Sequence, residues 1–126
     1  MLLARDRGGP AVCYQYLIYP MLDDRNITPS SQEFRGDWPG WPLEMNLLGW
    51  RALLGDSVGT DEVSPYAAPV RATDLTNLPP AYVEVGTVEV FRDEDVDYAA
   101  RLMQAGVNVE LHVNPGTFHA WELAAP

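Results

Sequence analysis

The sequence predicts an α/β architecture, a mostly parallel sheet with flanking helices. Three observations predict it. Ala11 to Tyr19 is a nearly unbroken apolar run rich in β-formers, the pattern of a strand buried on both faces of a parallel sheet. Ala81 to Gly86 is a second run of this kind, and Val107 to Val113 alternates as a third strand with one face more exposed. Residues 92–105, between the last two, carry helical periodicity through Val96, Ala99, Ala100, Leu102 and Met103. Strand, excursion, strand, helix, strand is the order of parallel crossover units.

Each element has its own punctuation. Residues 1–7 read as the end of a helix that began before the chain does, and Gly8-Gly9-Pro10 stops it. Pro20 ends the first strand. Residues 23–42 are polar and rich in turn formers, closing on Trp38-Pro39-Gly40-Trp41-Pro42. Leu43, Leu47, Leu48, Trp50, Leu53 and Leu54 then recur at helical spacing, which predicts an amphipathic helix over 43–54. A long loop runs from Gly55 to Pro80. Asp93, Glu94 and Asp95 crowd the first turn of the 92–105 helix, where carboxylates suit the helix dipole, and Gly106 ends it. Asn114-Pro115-Gly116 turns the chain, and residues 118–122 begin something helical. No internal repeat is visible.

The bulk properties bound the function. The chain has 126 residues, 47% of them apolar, enough for the core of one domain over 1–126. A net charge of −10 with eight Lys and Arg argues against nucleic acid as a partner, because phosphate binding needs clustered cations. No run of eighteen or more apolar residues exists, so no membrane-spanning helix is expected. The N-terminus lacks the pattern of a signal peptide. The lone Cys13 cannot make an internal disulfide; in its apolar run it reads as a buried small hydrophobe, and a cytoplasmic setting is expected. One Cys with His112 and His119 makes no zinc-ligand set, so neither metal nor cofactor is expected. No Gly-rich phosphate loop follows a strand, which ranks a flavodoxin-like domain last.

Five segments carry a family resemblance: Leu17-Ile18-Tyr19-Pro20-Met21-Leu22-Asp23, Ser64-Pro65-Tyr66-Ala67-Ala68-Pro69, Leu78 to Gly86, Phe91-Arg92-Asp93-Glu94-Asp95, and Phe118-His119-Ala120-Trp121. In this order and spacing they resemble the hormone-sensitive-lipase group of α/β-hydrolases, bacterial carboxylesterases. The resemblance implies the C-terminal portion of an α/β-hydrolase fold, with residues 24–56 as a partial cap excursion. It implies a carboxylic ester hydrolase with a Ser-His-acid triad acting on a small-molecule ester. The family's oxyanion loop and nucleophile elbow fall upstream of the first strand here. The chain therefore reads as truncated, supplying acid and histidine and inactive alone.

The resemblance puts the triad acid on Glu89, where the family usually has aspartate. Glutamate can equally accept the histidine Nδ1–H and stabilise the imidazolium. Asp93 is the rival acid; its alternative role, shared with Glu94 and Asp95, is to stabilise its own helix N-terminus. His119 takes the place of the triad histidine, with Ala120 where the family commonly has glycine. His112 lies within a strand and reads as structural. Gly55-Asp56-Ser57-Val58-Gly59 fits G-x-S-x-G, but a helix precedes it and a polar loop follows, whereas a nucleophile elbow needs a strand before and a helix after. Trp38, Trp41 and Trp50 either line a substrate channel or pack the excursion onto the sheet. The alternative from another class is a non-catalytic interaction module, a homodimer paired through an edge strand at 107–113.

Overall fold

The computed structural model describes residues 1–38 and 40–124, so Pro39 of the aromatic turn lies outside the described residues. Its elements are α1 (Leu2–Asp6), β1 (Gln15–Ile18), α2 (Pro29–Glu33), α3 (Leu43–Leu54), β2 (Ala81–Gly86), α4 (Arg92–Gln104), β3 (Val109–Asn114) and α5 (Trp121–Ala124). Short 3₁₀ turns occupy Gly55–Ser57 and Pro69–Arg71 within the long loop. The strands form one parallel sheet in the order β1-β2-β3. Gln15 pairs with Ala81, and Ala81 with Val109, so all three strands begin in register and their carboxyl ends open on one rim.

The main core lies between the sheet and α4, which carries Tyr98, Ala99 and Leu102 down onto Ala81 and Val83, with Leu22, Leu75 and Leu78 closing it. Leu102 is fully buried; a side chain of that size contributes roughly 2 kcal/mol by leaving water. Gly106, at φ 83, reverses the chain after α4, and the Val107 N–H donates to the Leu102 carbonyl at 3.0 Å as the chain turns into β3.

The first strand differs from expectation. It is ordered as a strand only over Gln15–Ile18, and Tyr16 is 63% exposed. Cys13 is exposed, not buried. The apolar run matches a strand covered on both faces, but burial is decided by neighbours. Among the described residues β1 pairs with β2 alone, and the exposed ring of Tyr16 stacks on Tyr82, 4.6 Å away.

Helix α3 has the expected bounds, yet its apolar stripe is only partly covered. Leu43, Asn46 and Trp50 are buried while Leu47, Leu48 and Leu53 face solvent. Helix α2 was not expected. Thr28 caps it by accepting from the Ser31 N–H at 3.2 Å, and Pro29 occupies its first position, a start signal that the sequence does contain.

Asp93, Glu94 and Asp95 lie in the first turn of α4 as expected, and two of them also bond backbone groups elsewhere. The carboxylates reach across to the excursion. Asp93 accepts from the Ser30 N–H at the start of α2 at 2.7 Å, and Glu94 accepts from the Leu22 and Asp23 N–H groups at 2.7 and 3.2 Å. Burial pushes the Glu94 carboxyl up to about 8 against the pull of those bonds. Asp95 is fully buried with no hydrogen-bond partner on either oxygen, and burial raises it well above the usual carboxylate range. Asp24, buried and paired with Arg71 at 2.5 and 2.9 Å, fastens the base of the excursion to the long loop.

Candidate active site

Because β2 and β3 run parallel and in register, the loops that leave them emerge side by side. The loops are zipped together beyond the strands. The Thr87 N–H donates to the Asn114 carbonyl and the Val88 N–H to the Thr117 carbonyl, both at 3.0 Å, and the Gly116 N–H donates to Thr87 Oγ1 at 2.8 Å. The approach is so close at Gly86 that an added Cβ would sit 2.2 Å from the Thr117 carbonyl oxygen. Only glycine fits there.

This arrangement brings Glu89 to His119. Glu89 is 1% exposed. Its Oε1 accepts from the Gly86 N–H at 2.7 Å, and its Oε2 lies 3.0 Å from His119 Nδ1. With the proton on Nδ1 donated to Glu89, Nε2 carries a lone pair and can act as a base. Three aromatic rings surround the imidazole: Tyr19 with centroids 4.3 Å apart, Phe91 at 5.2 Å and Trp41 at 5.8 Å. The Tyr19 hydroxyl donates to the Glu122 carboxylate; that bond, with partial burial, pushes the phenol up to about 12. The same bond holds Glu122 below its usual range. Ala120 adopts φ 60, a left-handed conformation that glycine takes without the steric cost of a Cβ.

Asp93 is occupied elsewhere. It bonds Ser30 and the Arg92 guanidinium, the latter at 2.8 Å. Burial works against its charge, but Arg92 and the Ser30 N–H outweigh it and hold the carboxyl below its ordinary range. His112 is a surface residue of β3, 2.7 Å from Glu110 and stacked on Tyr82. Ser57 ends a 3₁₀ turn after α3, where its carbonyl accepts from the Thr60 N–H and hydroxyl. Among the described residues, helix α3 leads into it and no strand does, and a loop leaves it.

The three tryptophans divide. Trp50 is core, packed with Val63 and Ala68, and Trp38 packs on Phe34 at 4.9 Å. Trp41 alone touches the imidazole. Neither Tyr19 nor Phe91 stood out in the sequence as a site residue. Their signal was positional: Tyr19 follows the first strand on the shared rim, and Phe91 follows Glu89 by two residues. Among the described residues no group of three or more His, Cys, Asp or Glu is arranged to hold a metal ion, and no helix is long and apolar enough to cross a membrane.

Residues 1–123 match the profile of the alpha/beta hydrolase fold family. The chain is 33% identical over 117 residues to an ethyl acetate hydrolase of Pseudomonas putida, covering 93% of this chain and 36% of that protein. It is 37% identical over 110 residues to esterase LipI of Mycobacterium tuberculosis, covering 86% of this chain and 33% of that protein. A solved structure of a bacterial heroin esterase superimposes with a TM-score of 0.92 at 49% identity, over 97% of this chain and 39% of the other. The chain thus spans little more than a third of these relatives.

Proposed function

The chain belongs to the alpha/beta hydrolase fold family, among carboxylesterase-like members, and we propose that it supplies the acid and the base of a Ser-His-acid triad that hydrolyses carboxylic esters. The observation that carries this reading is the 3.0 Å contact between Glu89 Oε2 and His119 Nδ1. The esterase names of the relatives support it.

In the complete enzyme a serine outside these 126 residues attacks the ester carbonyl. His119 Nε2 takes the serine proton as the C–O bond forms and returns it to the departing alcohol, leaving an acyl-serine. Water then attacks the acyl group, again giving its proton to His119, and the acid is released. Glu89 fixes the imidazole tautomer and stabilises its charged form. Backbone N–H groups, also from outside this chain, hold the oxyanion. Tyr19, Phe91 and Trp41 pack around the ring and leave it partly exposed.

Two measurements test this. The 126-residue chain alone should hydrolyse short acyl esters no faster than buffer, and robust turnover that Ser57→Ala abolishes would overturn both the assignment of the serine and the rejection of the 55–59 segment. In the enzyme completed with its upstream serine, Glu89→Gln should lower kcat by up to about 10⁴-fold, as an analogous carboxylate change does in a serine protease. Near-normal Glu89→Gln beside inactive Asp93→Asn would transfer the acid's role to Asp93.

A second reading is a pairing module without catalysis. It is favoured by β3 lying at an edge of the described sheet, where its outer N–H and C=O groups are available to a second copy. A folded dimer that stays inactive with the upstream serine segment supplied would support it; a monomer by sedimentation would remove it.

A further inference from the structure

The aromatic turn does more than cover the site. Gly40, at φ 87, lies directly on the histidine loop: a Cβ added there would meet the His119 carbonyl oxygen at 2.8 Å and His119 Cβ at 3.4 Å. The next residue, Trp41, presents its ring to the imidazole at 45°. Its other end is tethered, because Trp41 Nε1–H donates to Asn46 Oδ1 at 3.2 Å.

Asn46 is an unusual residue for its place. It sits on the buried stripe of α3 with no solvent exposure, where a hydrocarbon would be the simpler filling. It is retained in a polar chain. Asn46 Nδ2 donates to Asn26 Oδ1 at 2.6 Å, and Asn26 Nδ2 donates to the Asp24 carbonyl at 3.0 Å. Asn26 holds a left-handed conformation at φ 52 and is itself buried. A buried amide pair accepts few geometries, since any shift leaves a donor unpaired away from water. The chain from Asp24 through Asn26 and Asn46 therefore fixes where the indole can lie.

We infer that Trp41, fixed by the buried Asn46–Asn26 pair, is a positioning residue for His119, holding the imidazole so that Nδ1 stays on Glu89 while Nε2 is left as the base. This rests on the reading of Glu89 and His119 as acid and base. The indole forms one wall of the imidazole's seat, and with Tyr19 and Phe91 it removes the volume into which the ring would otherwise swing. The indole contributes no proton and touches no reacting atom; its effect passes through His119.

The test is ¹H–¹⁵N NMR of the imidazoles in the 126-residue chain. His119 and His112 are its two histidines, and His112, bonded to Glu110 and stacked on Tyr82, is an internal control. The parent should show a protected downfield Nδ1 proton for His119. Trp41→Ala should lose that resonance while His112 and the Ala81–Val85 amides of β2 stay unchanged. Trp41→Phe keeps a ring and removes the tether; its His119 Nδ1 proton should exchange faster than the parent's, and this variant decides the matter if Trp41→Ala does not fold. Parent-like exchange in Trp41→Phe together with an unchanged resonance in folded Trp41→Ala overturns the proposal, as does parent-like exchange in Trp41→Phe when Trp41→Ala is unfolded. Glu89→Leu separates the two readings. A resonance lost in Glu89→Leu but indifferent to Trp41 sinks the positioning role alone, and a parent without any protected His119 Nδ1 proton sinks both.

Discussion

Replacing Glu94 by Gln should flatten the response of stability to pH. Glu94 is 2% exposed; one oxygen is held by two backbone N–H groups and the other has no partner. Burial, reinforced by the nearby Asp23 charge, outweighs those bonds and the Arg25 charge, raising the carboxyl from 4.5 to about 8. The sign follows from proton counting. Above about 4.5 the unfolded chain releases this proton, while the folded chain keeps it until about 8, so stability is greatest below the unfolded value and falls as pH rises through that window. One retained proton costs up to about 1.4 kcal/mol per pH unit, which sums to about 3 kcal/mol between pH 5 and pH 8. The glutamine oxygen can still accept from Leu22 and Asp23, but the amide does not titrate. Its unpaired N–H group adds a fixed cost that cancels when each protein is compared with itself at the two pH values. Urea unfolding followed by circular dichroism at pH 5 and pH 8 should show the parent losing about 3 kcal/mol more than Glu94→Gln over that interval. Equal losses in the two proteins would mean that Glu94 is ionised in the folded state, and the burial argument would fail.

Gly86→Ala drives a methyl against the Thr117 carbonyl oxygen, so it should cost about 1–3 kcal/mol and lower Tm; an unchanged Tm would show that the two loops are not in contact. Ala120→Gly relieves a left-handed alanine, worth roughly 1–2 kcal/mol, but frees the unfolded chain by about 0.4–1 kcal/mol; a net gain of about 0.5 kcal/mol is expected in urea, and destabilisation would contradict the positive φ.

Where local pattern decides structure, the sequence was legible. The α3 bounds, Leu43–Leu54, and the β2 bounds, Ala81–Gly86, fall where apolar spacing and flanking Pro and Gly put them. Gly106 ends α4 within one residue of its expected limit. The pairing of Glu89 with His119 came from family resemblance, and nothing in the spacing of thirty residues would have found it. What failed depended on partners distant in the chain. The run at 11–19 looked buried because it is apolar, but cover comes from neighbouring elements, and Val12, Tyr14 and Tyr16 are exposed. Asp93, Glu94 and Asp95 open a helix as expected, but the bonds two of them make to backbone groups more than sixty residues away were not legible. Trp38, Trp41 and Trp50 are alike in sequence and were separable only by what each ring touches.

Two of the three bonds that zip the loops past the ends of β2 and β3 join main-chain groups, and the third ends on the Thr87 hydroxyl. Main-chain bonds are indifferent to side-chain identity, so an exposed position such as Pro115 is free to drift without moving the carboxylate relative to the ring. The cost of that freedom is concentrated at one position, Gly86, where a single added carbon would part the loops. Laboratory evolution of these loops should therefore accumulate changes at the exposed turn around Pro115 and none at Gly86.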